Sequence, residues 1–302
     1  MIKKSNKGKS WLQSIPAYIY ILPGFVIYGI FFLYPLGQLI YLSLTRWNGL
    51  GPKQYIGFTN YLELFTTDNR FWLSMEHNLA WMVAAILIPT LLGLLLAVFL
   101  VRSPIYGKVF FRTVFFLPQI LSSVAVAIIW RWIYNPSYGV INTILRAIGL
   151  DFLVLSWLGN TVTALPALFI AWTWIAYGFN MVIFIAALQG IDETYYDAAK
   201  VDGANSLQEF IHITLPFVRG TMATVILISA ISAFEIFDLV FIITKGGPAL
   251  ATTVLTLYMY DAAFRIGKIG YAAAIAVMLG VIIFTFSCVF LYVRNKLDLE
   301  SV

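Results

Sequence analysis

Two carboxylates, Glu235 and Asp238, stand three positions apart in an otherwise apolar run from about Thr221 to Ile243. An ionisable group at the centre of a membrane helix costs about 2.5–3.5 kcal/mol on insertion scales, so such residues turn toward protein or water rather than lipid. Their chemistry would be ion or proton coupling, or contact with a polar solute. Tyr177 and Asn180, one helical turn apart in the charge-free stretch 152–191, and Gln119 in an earlier run add further polar groups. Other reactive types do not assemble. His77 and His212 lie far apart without an H-E-x-x-H arrangement, and there is no G-x-S-x-G elbow. Cys288 is the single cysteine, so one chain offers neither a disulfide nor a thiolate metal site. A phosphate-cradling G-x-x-x-x-G-K-[ST] loop is also missing, because Lys3 stands where Gly8-Lys9-Ser10 would need a preceding Gly. These residues predict neither an enzyme nor a cofactor-binding chain.

A second polar feature is an island between two apolar runs: Asp197-Ala198-Ala199-Lys200-Val201-Asp202-Gly203, followed by Ile213-Thr214-Leu215-Pro216. Asp192 is suited to cap a short helix reaching Val201, with Glu193 in the first turn where the helix dipole favours an anion. Gly203 supplies the C-terminal stop. Ser206-x-x-Glu209 has the form of a capping box for a second short helix, and Pro216 is expected to end it. On the first helix Tyr195, Ala198, Ala199 and Asp202 share one face, and the two alanines allow a partner backbone to come close.

The elements that position these groups follow from composition. The chain of 302 residues is 61% hydrophobic and 11% charged, far from a soluble domain, in which charged residues approach a quarter. Its net charge of +5 gathers at the ends of apolar runs, where basic residues orient helices in a bilayer, so nucleic acid is not an expected partner. About 20 apolar residues cross the hydrocarbon. That criterion predicts an all-α polytopic protein with six spans, at about 16–45, 78–101, 113–134, 165–188, 219–243 and 271–293. Pro16, Pro23 and Pro35 are expected to interrupt the first. No 20–50-residue repeat is visible, so 1–302 reads as one transmembrane domain. The first apolar run lacks an A-x-A-like cleavage site and reads as a retained helix. An even number of spans puts both termini on one side. Lys3, Lys4, Lys7 and Lys9, Arg294 and Lys296, and the crowded Arg102, Lys108 and Arg112 make that side cytoplasmic. The polar segment 189–219 then becomes an inner loop.

At this point the island resembles a known signature. The pattern E-A-A, three residues, G, nine residues, I-x-L-P marks the cytoplasmic loop of permease subunits of bacterial ABC importers. This chain matches it at Ala198, Ala199, Gly203, Ile213, Leu215 and Pro216, with Asp197 in place of Glu. Leu44-Thr45-Arg46-Trp47-Asn48-Gly49, Gly57-Phe58-Thr59-Asn60-Tyr61, Leu188-Gln189-Gly190-Ile191, Thr244-Lys245-Gly246-Gly247-Pro248 and Gly270-Tyr271-Ala272-Ala273-Ala274 resemble the sugar-importing branch, of the maltose, multiple-sugar and glycerol-phosphate type. The resemblance implies a coupling helix between the fourth and fifth spans that docks on an ABC ATPase dimer, with ATP bound by that partner. Asp197, Ala198, Ala199, Asp202, Gly203, Ile213, Leu215 and Pro216 would form the coupling surface. It further implies a second, non-identical permease subunit, an extracytoplasmic solute-binding protein, a sugar substrate and a bacterial plasma membrane setting. Tyr177, Asn180, Glu235 and Asp238 are the candidate pathway residues, since sugars are held by planar polar groups and aromatic faces. The contrasting expectation is a stand-alone secondary transporter or channel that uses Glu235 and Asp238 for ion coupling.

Overall fold

The structure, a computed structural model, describes residues 20–299. The predicted start of the first span at 16 and the Lys3, Lys4, Lys7 and Lys9 tail lie outside the described residues. Helices dominate: α1 (Tyr20–Ser43), α2 (Thr59–Thr66), α3 (Asn69–Arg102), α4 (Lys108–Ile120), α5 (Ser123–Ile133), α6 (Val140–Ala147), α7 (Ala164–Leu188) and α8 (Glu193–Val201). Next comes α9, one rod built of Ser206–Glu209, a π-turn Phe210–Thr214 and Leu215–Glu235, and then α10 (Asp238–Ile243), α11 (Leu255–Tyr260) and α12 (Ile269–Leu299). The described strands, β1 (Thr45–Arg46) and β2 (Gln54–Tyr55), form an antiparallel hairpin with Thr45 opposite Tyr55. Five helical stretches are long and apolar enough to span a membrane, and the bent pair α4–α5 makes a sixth if counted as one. Chain contacts divide into two compact units, Met1–Thr66 with Ala262–Val277, and Thr67–Asp261 with Met278–Val302.

Proline acts differently here from the sequence expectation. Pro35 and Pro216 do not break their helices; each directly follows a π-turn, Gly29–Leu33 and Phe210–Thr214 respectively. In those turns Tyr34 N–H bonds the Gly29 carbonyl and Leu215 N–H bonds the Phe210 carbonyl, five residues back. The extra residue moves the carbonyl that a proline ring would strike, and the helix continues. The helix that contains the fifth predicted span, 219–243, therefore begins earlier, at Ser206.

The third predicted span, 113–134, is not a single helix. Its two parts meet at 98° between α4 and α5. Pro118 removes a ladder donor one turn before the bend, and Leu121 and Ser122 are extended, with ψ of 144° and 135°.

In the second unit the helices approach through glycines. A Cβ on Gly93 of α3 would lie 2.7 Å from the Asn180 Cβ of α7, and one on Gly178 of α7 would lie 2.4 Å from the Phe115 carbonyl of α4. Lipid gives helices no hydrophobic reason to pair, so close backbone approach at small residues supplies the van der Waals contact that holds them. Met181, Phe184, Ile185 and Leu188 on α7 pack with Leu94, Ala97 and Leu100 on α3 and with Val218 and Val225 on α9. Trp81, Leu168, Phe169, Leu239 and Val240 belong to a second buried cluster that includes residues of α10. In the first unit Gly270 meets the hairpin: its N–H bonds the Trp47 carbonyl at 3.1 Å, and a Cβ there would fall 1.9 Å from the Thr45 carbonyl oxygen.

Candidate functional site

The segment after α7 folds as two helical arms, the short α8 and the start of the long α9 rod, around a glycine. Asp192 caps α8, its Oδ1 accepting from the Thr194 N–H and hydroxyl, each at 2.9 Å. These bonds, the backbone one foremost, favour the charged carboxylate and hold it below the usual range, while desolvation opposes them weakly. At the far end Gly203 takes φ +79°, Ala204 N–H bonds the Ala199 carbonyl at 2.9 Å, and Gly203 N–H bonds the Lys200 carbonyl at 3.1 Å. That is the bonding of a Schellman motif, in which the left-handed residue is most economically glycine. The capping box lies one residue before its expected place. Asn205 accepts from Leu207 N–H and Gln208 N–H, while the Gln208 side chain accepts from Asn205 N–H. Asn205 is the extended residue, at φ −85° and ψ 167°, so it rather than Ser206 meets the first free amides.

One residue of α8, Tyr196, is buried. Its hydroxyl meets the Thr214 hydroxyl at 3.0 Å, and the Arg102 guanidinium, arriving from the end of α3, lies 3.4 Å from its ring centroid. Arg102 also pairs with Glu193 at 2.8 Å and Glu209 at 3.6 Å, so one cation ties the starts of α8 and α9 to α3. Asp197, Ala198, Lys200, Val201, Asp202 and Gly203 remain exposed. A cleft of about 310 Å³ between the arms is lined by Ala199, Asp202, Gly203, Gln208, Glu209, His212 and Ile213, among others. Ile213 and Leu215 pack inward against the α3–α7 cluster, whereas Pro216 is exposed.

Glu235 and Asp238 flank a break in the helix. Glu235 ends α9, Ile236 and Phe237 leave helical geometry, and Asp238 begins α10. The polar backbone freed there is satisfied by side chains, as apolar surroundings demand. The buried Asn78 amide donates to the Ala233 carbonyl at 3.0 Å and accepts from Leu255 N–H at 2.8 Å, and the Thr256 hydroxyl donates to the Ile236 carbonyl. The other broken helix meets this one, since the Ser123 hydroxyl at the start of α5 donates to Asp238. Both carboxylates are exposed and line a cavity of about 260 Å³ with Ser123, Trp172, Ile175 and Ser232. Tyr177 and Asn180 are not among the residues lining it. Tyr177 stands edge-on to Phe115 at 6.5 Å, and Asn180 is buried at the Gly93 contact. Among the described residues no cluster of His, Cys, Asp and Glu could hold a metal ion.

Comparison with known proteins places the chain. Residues 90–298 match the family described as binding-protein-dependent transport system inner membrane component. The chain belongs to this family. The probable ABC transporter permease protein YurN of Bacillus subtilis (strain 168) is 35% identical over 272 residues, covering 89% of this chain and 92% of its own. The diacetylchitobiose uptake system permease protein NgcF of Streptomyces coelicolor (strain ATCC BAA-471 / A3(2) / M145) is 34% identical over 284 residues, or 90% and 79% of the two chains. The crystal structure of a bacterial ABC transporter involved in the import of the acidic polysaccharide alginate superposes with a TM-score of 0.83, covering 95% of this chain and 98% of that one. At 24% identity that likeness speaks for the fold.

This permease subunit of the ABC sugar-importer family thus has the expected helical fold, and its motif runs over both arms, with Asp197, Ala198, Gly203 and Pro216 exposed and Ile213 and Leu215 packed inward. Two residues that hold those arms, Arg102 and Tyr196, are absent from the signature. Arg102 was visible only as one of several basic residues crowding the connection after the second span. Tyr196 lies outside the Tyr195, Ala198, Ala199 and Asp202 stripe of α8, and nothing else in the sequence marks it.

Proposed function

We propose that this subunit is one transmembrane half of an ATP-driven importer that moves a sugar or sugar-like solute across the plasma membrane by alternating access, coupled through 189–219 to a separate ATPase. The observation that carries this reading is the contrast within α8. Tyr196 fastens the helix to its own chain, while Asp197, Ala198, Ala199, Asp202 and Gly203 line an open face and cleft. An ordered polar helix with small residues on its free side is built to receive another protein. Both termini lie in the cytoplasm on this reading, with α8 on the same side. ATP and its hydrolysis belong to the ATPase dimer, and a second, non-identical permease completes the pathway. An extracytoplasmic solute-binding protein delivers the sugar, and the alginate transporter was crystallised in complex with alginate pentasaccharide-bound periplasmic protein.

Within this scheme Glu235 and Asp238 contribute to the translocation path, supported by their exposure in a cavity where two broken helices meet. Tyr177 and Asn180 are not part of its lining and stand at the contacts of α7 with Phe115 and Gly93. Coupling needs an element with two arrangements that both ATP and sugar bias. Movement of α8 about Gly203 would be transmitted through Arg102 to α3 and through the continuous α9 rod to the Glu235 break. Gly203→Pro is the test: the subunit should reach the membrane at normal level and lose ATPase association or sugar uptake. Normal uptake at normal protein level would contradict the proposal. Co-purification of an ATPase and a second permease with the wild-type chain separates this reading from a stand-alone carrier.

A further inference from the structure

The hairpin after α1 carries a polar cavity that the coupling and pathway residues do not use. It measures about 570 Å³, within the range of roughly 300–1,000 Å³ typical of small-molecule sites, and its lining includes Arg46, Trp47, Asn48, Gln54, Glu63 and Lys268, all within the first unit. Its walls are fixed by the strand pairing and by the buried Asn60, whose amide donates to the Ser43 and Thr45 carbonyls at 2.7 and 3.0 Å. The Gly270 bond to the Trp47 carbonyl closes the same frame from the start of α12. This is a framed site rather than a loose loop.

The lining groups are those that recognise an acidic saccharide. Lys268 is neutralised by Glu63 at 3.3 Å. The Arg46 guanidinium is exposed and, among the described residues, has neither an ion pair nor a hydrogen bond, so the wall carries an unmet fork-shaped donor that matches a carboxylate. Asn48 spends its Oδ1 on Leu50 N–H at 3.0 Å, which leaves its amide donors available among the described residues, and the Gln54 amide is exposed beside it. Planar amides of this kind bond pairs of ring hydroxyls. The Trp47 indole spends its N–H on the Gly51 carbonyl at 3.2 Å, so its ring contributes an apolar surface. The Lys53 ammonium, 4.9 Å from that ring centroid, adds positive potential close by.

We infer that this cavity binds a saccharide bearing a carboxylate, with Arg46 on the carboxylate, Asn48 and Gln54 on ring hydroxyls and Trp47 against the apolar face of the ring. The geometry stands independently of coupling. That the site opens to the outer side rests on the topology proposed above, in which the connection after the first span lies opposite the 189–219 loop.

Binding is measured on the full chain in lipid nanodiscs without its ATPase, so the result is separate from any failure of the coupling proposal. Glucuronate, galacturonate and mannuronate are titrated by saturation-transfer NMR, each against its neutral parent sugar. At least one uronate should bind fivefold or more tightly than its parent. Arg46→Gln, an exposed change that spares the hairpin frame, should remove that preference while weak neutral-sugar binding persists, and Trp47→Ala should weaken both. No binding, equal binding of acid and neutral sugars, or a preference unchanged in Arg46→Gln would overturn the inference. So would Arg46-dependent binding of a hexaglutamate peptide with no uronate binding, which would make the cavity a receptor for an acidic protein segment.

Discussion

Helices α7 and α8 are neighbours in the chain, joined by the turn 189–192, yet they are held by opposite means. α7 is apolar around most of its circumference and is gripped by α3 and α4 at Gly93 and Gly178, where no side chain intervenes. α8 is polar and buries Tyr196 alone, under the Arg102 guanidinium. The first helix is closely packed against its neighbours at those two positions. The second is held by the buried Tyr196, by Glu193 on Arg102 and by Tyr195 against Phe217, and leaves Asp197, Ala198, Lys200, Val201, Asp202 and Gly203 exposed. Both depend on backbone geometry that only glycine supplies, but α7 needs glycine for space and α8 needs it for dihedral freedom.

Mutations should separate these two modes of attachment. The largest effect is expected for Gly178→Leu, whose Cβ alone would fall 2.4 Å from the Phe115 carbonyl. Overpacking of this kind costs about 1–3 kcal/mol and should lower the thermal midpoint of the whole subunit in detergent. Next is Arg102→Ala, which removes the cation over Tyr196 and leaves Glu209, 14% exposed, without that partner. The loss is about 1–2 kcal/mol, taking the upper part of the range for a desolvated cation–π contact, and should appear as faster amide exchange in α8 with α7 unchanged. If α7 loosened equally, the two helices would be one cooperative unit and the comparison would fail.

Gly203→Ala should cost about 1 kcal/mol, because an L side chain at φ +79° is strained although nothing lies within 4 Å of the added Cβ. Its exchange effect should be confined to the C-terminal turn of α8. The smallest effect concerns Asp192. Its carboxyl is held below the usual range by Thr194, so its capping contribution is present above the ordinary carboxylate pKa and is lost as pH falls through the lowered value. Protection of the first α8 amides should drop in acid for the wild type. Asp192→Asn, which caps without a charge, should flatten that dependence.

Much of this was legible in the sequence, and particular residues show where legibility ended. Asp192 and Gly203 follow from capping chemistry, because those signals act over four or five residues, whereas the inward packing of Ile213 and Leu215, expected on the coupling surface, does not. The long apolar helices were legible as apolar runs, since hydrocarbon selects for length. Pro35 and Pro216 misled because a π-turn, which leaves no mark in residue type, absorbs each of them. The 98° bend between α4 and α5 was hidden for a related reason: Pro118 announces a perturbation, whereas its size depends on how Leu121 and Ser122 are packed. The partnership of Ser123 with Asp238, and of Arg102 with Tyr196, joins residues about a hundred positions apart and required the fold. The pairing of Tyr177 and Asn180 with Glu235 and Asp238 as one site rested on residue type, and the structure places the two pairs in different surroundings.

The central claim is that the free face of α8 is read by a separate ATPase, and Ala199→Trp tests it most directly. Ala199 lines the cleft between the arms, so the substitution fills the receiving surface while Tyr196 and Arg102 are left unchanged in sequence. The measurement is the amount of ATPase that co-purifies with the tagged subunit, normalised to subunit in the membrane. The expected result is wild-type membrane levels with ATPase association reduced at least tenfold. Wild-type association at wild-type levels would contradict it.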